Sequence, residues 1–356
     1  MVKLGDVINV HYGKALKADQ RVSNGSVHVF GSSGIVGNHD KTLCSYPTII
    51  IGRKGSVGAI TWAPDGGWII DTAYYVEIKD NNKLDLRYLF YILSGIDLTK
   101  KTITTSIPGL NRDDLYDTFI KLPPFEEQKR IVDLLDKAEG IRQKREQAIK
   151  LADDFLRATF ATMYGNPITN PKKWPVHLMG EIIEFKGGNQ PPKSDFIFEP
   201  KQGYIRLVQI RDFKSDKYAT YIPQEKAKRI FEVDDVMIAR YGPPVFQILR
   251  GLSGSYNVAL MKASPKENIR KGFIFYLLQL PEYHDVVVKN SERTAGQTGV
   301  NLELLNKFNV PLPPIYYQDE ILARLARIEK FKEKIEISLN NLEMQFLSLQ
   351  KRLMGF

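Results

Sequence analysis

The tetrapeptide Leu122-Pro123-Pro124-Phe125 lies one residue away from a motif with defined chemistry. DNA amino-methyltransferases hold their target amine with an Asn or Asp ahead of Pro-Pro and an aromatic ring. Here Leu122 occupies the polar position, and a second copy, Leu312-Pro313-Pro314-Ile315, lacks the aromatic as well. The glycine-rich stretch Phe30-Gly31-Ser32-Ser33-Gly34 is too short for a dinucleotide fingerprint, and no phosphate loop ending in Lys-Ser/Thr occurs. A metal-dependent nuclease needs clustered carboxylates, but Asp113-Asp114 and Asp234-Asp235 sit where turns or helix starts are expected. His11, His28, His39, His177 and His284 show no ligand spacing, and Cys44 is the only cysteine. No catalytic constellation or metal site is therefore expected, and the chain reads as a non-enzyme.

The 356 residues suit two domains, and a hydrophobic share of 43% supplies two separate cores. A formal net charge of +9 favours a polyanionic partner such as DNA, RNA or an acidic membrane surface. Met1-Val2-Lys3-Leu4-Gly5-Asp6 has no apolar run behind a basic head, and no stretch is long and apolar enough to span a bilayer. A cytoplasmic location without membrane contact is the expectation.

The chain repeats itself. Laid over 296–326, residues 106–136 match at nine of 31 positions, including Gly109/Gly299, Asn111/Asn301, Leu122/Leu312, Gln128/Gln318 and Leu135/Leu325. Ordinary residue frequencies would give about two. Upstream, Leu89-Phe90-Tyr91 resembles Ile274-Phe275-Tyr276, Ile51-Gly52-Arg53-Lys54-Gly55 resembles Ile238-Ala239-Arg240-Tyr241-Gly242, and Gly5-Asp6-Val7-Ile8 resembles Gly180-Glu181-Ile182-Ile183. A repeat of this length is a duplicated domain, not a solenoid.

Each copy closes on Pro-Pro, which ends the preceding element and suits the start of a helix. In the second helix Ile321, Ile328, Ile335, Leu342 and Leu349 recur every seven residues, as do Leu325, Lys332, Leu339, Phe346 and Leu353. This is a coiled-coil seam. The first helix keeps it less cleanly, through Ile131, Leu135, Ile149 and Leu156, with Arg142 at the repeat position of Lys332. Such a cation either fixes register or snorkels out of the seam. Leu134, Ile141, Ala148 and Phe155 form a second stripe expected to widen the apolar face. Helices of about 40 residues span roughly 60 Å, and internal two-fold symmetry favours antiparallel pairing with a module at each end. The predicted architecture is α/β (α+β): module 1 over 1–121, a helix over 122–164, module 2 over 165–311 and a helix over 312–356.

Within the modules, Thr48–Gly52, Tyr74–Ile78, Tyr204–Val208 and the end of Glu232–Ile238 read as strands. Leu86–Leu93 and Lys271–Leu280 read as helices.

Leu122-Pro123-Pro124-Phe125-Glu126-Glu127-Gln128-Lys129-Arg130-Ile131-Val132 resembles the first conserved region of type I restriction-modification specificity subunits, and Leu312-Pro313-Pro314 with Gln318 the second. Gly31–Gly37, Ile51–Gly58 and Asp71-Thr72-Ala73-Tyr74 resemble one class of target-recognition domain. The resemblance covers essentially the whole chain. It implies that each module reads one half of a bipartite double-stranded DNA site while the helices set the spacing. It also implies two modification subunits that use S-adenosylmethionine, and restriction subunits that use ATP and Mg, with no cofactor on this chain.

Base edges are read by Arg, Lys, Gln, Asn or Ser. In module 1 the candidates are Ser32, Ser33, Arg53, Lys54 and Ser56. In module 2 they are Gln190, Lys193, Gln209, Arg211, Arg240, Tyr241, Arg293 and Gln297. For each of them a solvated surface role is the alternative. The competing functions are a free-standing DNA methyltransferase or nuclease and a coiled-coil adaptor that binds proteins.

Overall fold

In a computed structural model, residues 1–103, 109–242, 244–291 and 299–354 are described. The chain forms two compact units, Met1–Gln147 with Glu336–Phe356, and Ala148–Ile335. Both boundaries fall inside the two long helices, Phe125–Tyr164 and Ile315–Met354.

Unit 1 is built on a four-stranded antiparallel sheet in the order Ile8–Tyr12, Ala73–Ile78, Thr48–Gly52, Ile60–Ala63. Thr48–Gly52 is buried throughout, which is why it reads as an unbroken apolar run. Alternation sends its side chains to two cores. Ile49 and Ile51 join Leu89 and Ile92 of the helix Leu86–Gly95, while Ile50 joins Phe30, Cys44 and Ile69 under a second sheet. That second sheet orders Gly34–His39, Val27–Gly31 and Trp68–Ile69, the last pair parallel. Each fully buried Ile contributes about 1.5–3 kcal/mol, so the strand is held from both sides.

Unit 2 repeats the plan. Its main sheet runs Ile183–Gly187, Leu260–Pro265, Val236–Ala239, Ile248–Leu249, again antiparallel. Val236 and Ile238 face the core shared with Phe273 and Ile274, and Met237 faces Val208, Phe231 and Tyr256. The second sheet again contains one parallel pair, Tyr204–Val208 with Gly254–Tyr256. The helix expected to run to Leu280 stops at Leu277, and Pro281 opens another, Pro281–Ser291. Proline suits a first helical turn and not an interior.

The repeated Asn and Gln have structural roles. Asn111 caps the short helix Arg112–Tyr116 by accepting from Asp113 N, and Asn301 caps Leu302–Asn306 through Glu303 N and Leu304 N. Gln128 is buried; its Nε2 donates to Lys83 O (2.7 Å) and Pro123 O (2.9 Å), and its Oε1 accepts from Asp85 N (2.9 Å). Gln318 does the same with Asn268 O (2.8 Å), Pro313 O (2.9 Å) and Arg270 N (2.9 Å). Each long helix is thereby locked to the turn ahead of a helix of its own module, Leu86–Gly95 or Lys271–Leu277, with three backbone groups satisfied by one buried amide.

Both units hold an antiparallel piece of the helix pair. In unit 1, Ile131 and Leu135 share a core with Phe346, Leu349 and Leu353, and Arg145 Nη1 donates to Ser338 O at 2.7 Å. In unit 2, Leu156 and Phe160 share a core with Ile321, Leu325 and Ile328. Ile149, Ile335, Leu339 and Leu342 are half-buried, following the heptad. The second stripe widens the apolar face outside the seam. Leu134 (42% exposed), Ile141 (45%) and Phe155 (59%) face away from the seam. Two helices cover only a narrow a/d stripe on each other, so a wider apolar face needs a further body to bury it.

Candidate nucleic-acid interface

At the end of the strand Thr48–Gly52, two glycine-bearing turns of unit 1 meet. A Cβ on Gly52 would lie 2.0 Å from Ser56 O and 2.8 Å from Ser32 O, so only glycine lets these carbonyls approach. Gly55, with φ +76°, turns the chain back. Ser32, Arg53, Lys54 and Ser56 are thus gathered at one corner, and Ser33 lies exposed beside them in the turn between Val27–Gly31 and Gly34–His39. Arg53 O accepts from Leu110 N (3.0 Å), Lys54 bridges to Gly109, and the backbone amides of Arg53 and Lys54 both donate to Thr72 O (2.9 and 3.1 Å). The backbone of this corner is therefore fixed on two sides, with the Lys54 side chain exposed and that of Arg53 half-buried.

Unit 2 builds the same corner. Arg240 O accepts from Val300 N (3.1 Å), Tyr241 bridges to Gly299, and Gly242 has φ +88°. Two further candidates flank one segment: Asn189, next to Gln190, donates to Tyr256 O (3.1 Å), and Asn257 donates to Val208 O (3.2 Å), next to Gln209. Arg211 is exposed, with its guanidinium 5.5 Å from the Tyr218 ring and Nη2 donating to Tyr218 O (3.4 Å). Lys193 opens an exposed 3-10 turn, Lys193–Asp195. Arg293 and Gln297 lie outside the described residues.

Tyr12 and Arg112 join this corner without being among the contacts expected from sequence, and Tyr74, part of the Asp71–Tyr74 motif, joins them. The Arg53 guanidinium lies 5.0 Å from the Tyr12 ring centroid and 5.7 Å from that of Tyr74, and Nη1 donates to Asp71 O (3.2 Å). Arg112 lies 5.3 Å from the same Tyr12 ring. Burial pushes the Tyr74 hydroxyl up to about 12, so it stays a neutral donor, to Leu110 O at 3.0 Å. The strand register sets Tyr12 opposite Tyr74, a pairing that the local sequence around Tyr12 does not announce.

The corner is an arginine fork with flanking hydroxyls, the chemistry suited to guanine O6 and N7. Among the described residues no group of three or more His, Cys, Asp or Glu could hold a metal ion, and no helix is long and apolar enough to cross a membrane. The family model described as "Type I restriction modification DNA specificity domain" matches residues 1–151 and again 171–343. The chain belongs to this specificity-domain family.

The two matches fall one on each copy, so Arg53 sits in the first specificity domain and Arg240 in the second. Among curated relatives, the chain is similar to the type I restriction enzyme EcoBI specificity subunit of Escherichia coli, with 23% identity over 336 residues, covering 83% of this chain and 70% of the relative. It is similar to the MjaVIII specificity subunit of Methanocaldococcus jannaschii at 21% identity, covering 74% and 69%. The fold matches the type I restriction-modification S subunit from M. genitalium with a TM-score of 0.59 at 16% identity, covering 99% of this chain and 95% of that one. A chain solved in work on assembly and conformational transition of the type I R-M system matches at a TM-score of 0.57 and 18% identity, covering 99% and 96%.

Proposed function

We propose that this chain is the sequence-reading subunit of a type I restriction-modification complex, with no catalysis of its own. Each unit reads one half of a bipartite double-stranded DNA site, and the long helices set the spacing between halves. The observation that carries this reading is the corner built twice. Arg53 and Arg240 close equivalent strands, and each accepts on its carbonyl the same bond from the segment after Gly109 or Gly299. A net charge of +9 supplies the phosphate-neutralising background. Ser32, Ser33, Lys54, Ser56, Gln190, Lys193, Gln209, Arg211 and Tyr241 are the proposed further contacts to bases and phosphates.

Methyl transfer and cleavage belong, in this reading, to partner subunits: two modification subunits with S-adenosylmethionine, and restriction subunits with ATP and Mg. The complex works in the cytoplasm, where the DNA is. Support for partner docking comes from an open apolar groove in unit 2 lined by Ala148, Leu151, Phe155, Ile328 and Phe331, a surface that costs solubility unless another protein covers it. The test is methylome sequencing of the host with and without this chain. Loss of methylation at one split adenine-containing motif is expected; an unchanged methylome overturns the reading. Electrophoretic titration of the assembled complex should show affinity falling steeply with salt.

A further inference from the structure

The two corners share their arginine but not its surroundings. In unit 1, Tyr12 ends the strand Ile8–Tyr12 opposite Tyr74, with the two rings edge-on at 5.0 Å. Both rings and the Asp71 carbonyl contact the Arg53 guanidinium. In unit 2 the equivalent strand Ile183–Gly187 ends in Gly187, opposite Met261. A Cβ at Gly187 would be 3.5 Å from Arg240 Nη1, so the guanidinium lies over the space that a side chain there would enter. Its aromatic neighbour is Tyr241, the next residue in its own chain, at 5.1 Å.

We infer that the last residue of this strand sets how each unit presents its arginine fork, and that Tyr12 is the positioning residue that fixes the base preference of unit 1 through Arg53. The inference rests on the DNA-reading function proposed above. A bidentate contact to guanine requires both terminal nitrogens in one plane aimed at O6 and N7. An arginine packed against two rings loses little further freedom on binding, so its preference is sharp. With Gly187 in place of a ring, Arg240 is free of that constraint, and its half-site should tolerate more substitution. Tyr12 acts here through its π-face, because the Arg53 and Arg112 guanidiniums lie 5.0 and 5.3 Å from its ring centroid.

The experiment uses the full chain assembled with its modification subunits. It measures, at one salt concentration, the Kd ratio between the cognate site and sites with one base changed in either half. Arg53→Ala should lower discrimination at one base of one half-site by about tenfold or more. Tyr12→Ala should lower it at the same base by about threefold to fivefold, and Tyr12→Phe should restore it. Discrimination at the other half-site should be unchanged in all three, which also reports that the variants fold. Tyr12→Ala matching wild type while Arg53→Ala relaxes the half-site overturns the inference. So does equal loss at both halves, or Tyr12→Phe behaving as Tyr12→Ala. An inert Arg53→Ala overturns instead the base-reading assignment beneath it.

Discussion

Lys332 of the second long helix donates to Asp153 of the first at 2.6 Å, and the same two repeat positions carry Arg142 and Glu343. Lys332 is the residue of the second helix's seam that is out of character with its heptad, and the contact gives it a partner across the seam. Arg142 bonds mainly to Glu139 and Glu146 on its own helix, with Glu343 adding to the field that holds its guanidinium charged. A cation inside an apolar stripe penalises any register that removes its carboxylate. Lys332→Glu should therefore destabilise the chain by about 0.5–1.5 kcal/mol, and Asp153→Lys in the same chain should recover most of it. Denaturant titration of both single variants and the pair measures the coupling; strictly additive losses would exclude it.

The locks made by Gln128 and Gln318 account for the glutamine that follows each Pro-Pro. Gln318→Ala leaves two carbonyls and the Arg270 amide without their partner in a buried site. A loss of about 2–3 kcal/mol is expected, with faster hydrogen exchange at the Arg270 amide. Gln318→Glu should be worse than alanine, because it turns an acceptor toward the carbonyls of Asn268 and Pro313. A glutamate variant as stable as wild type would contradict this account of the motif.

Elements with a strong local pattern were legible in the sequence. Thr48–Gly52 and Tyr204–Val208 fall where composition placed them, and both long helices begin directly after their prolines. Arg53 and Arg240 were aligned by the repeat alone. What stayed hidden depends on residues far apart in the chain. Tyr12 meets Arg53 and Arg112 across strand pairing, and nothing near Tyr12 in sequence announces a cation. The stripe through Leu134, Ile141 and Phe155 is apolar as its periodicity indicates, but its exposure was not legible, because periodicity reports that a face is apolar and not what covers it.

If the paired helices act as the ruler, lengthening both by one heptad should move the preferred half-site spacing. Seven residues add about 10.5 Å of helix, or roughly three base pairs of DNA. A heptad preserves the a/d seam, so pairing survives. The variant's methylated motif should keep both half-sequences and gain about three bases of spacer. An unchanged spacer in an active variant would remove the helices as the measuring element.

Asp235 carries the expected acid sensitivity of unit 2. It is buried at the turn before Val236–Ala239, where Oδ2 accepts from Glu232 N (2.9 Å) and Lys262 Nζ (3.2 Å), and Lys271 Nζ lies 2.8 Å from Oδ1. Burial alone would raise its pKa, but Lys271, the Glu232 amide and Lys262 together hold it below the ordinary carboxylate value. A depressed folded pKa stabilises the fold above the unfolded value of about 3.9, and this contribution disappears as pH falls through the folded value. Asp235→Asn should thus cost about 1.5–3 kcal/mol near neutrality, since it removes charge-assisted bonds. The gap from wild type should shrink below about pH 4. Melting both proteins across the acid range measures it, and a gap that persists undiminished at about pH 2 would show that the charge on Asp235 is not what Lys262 and Lys271 stabilise.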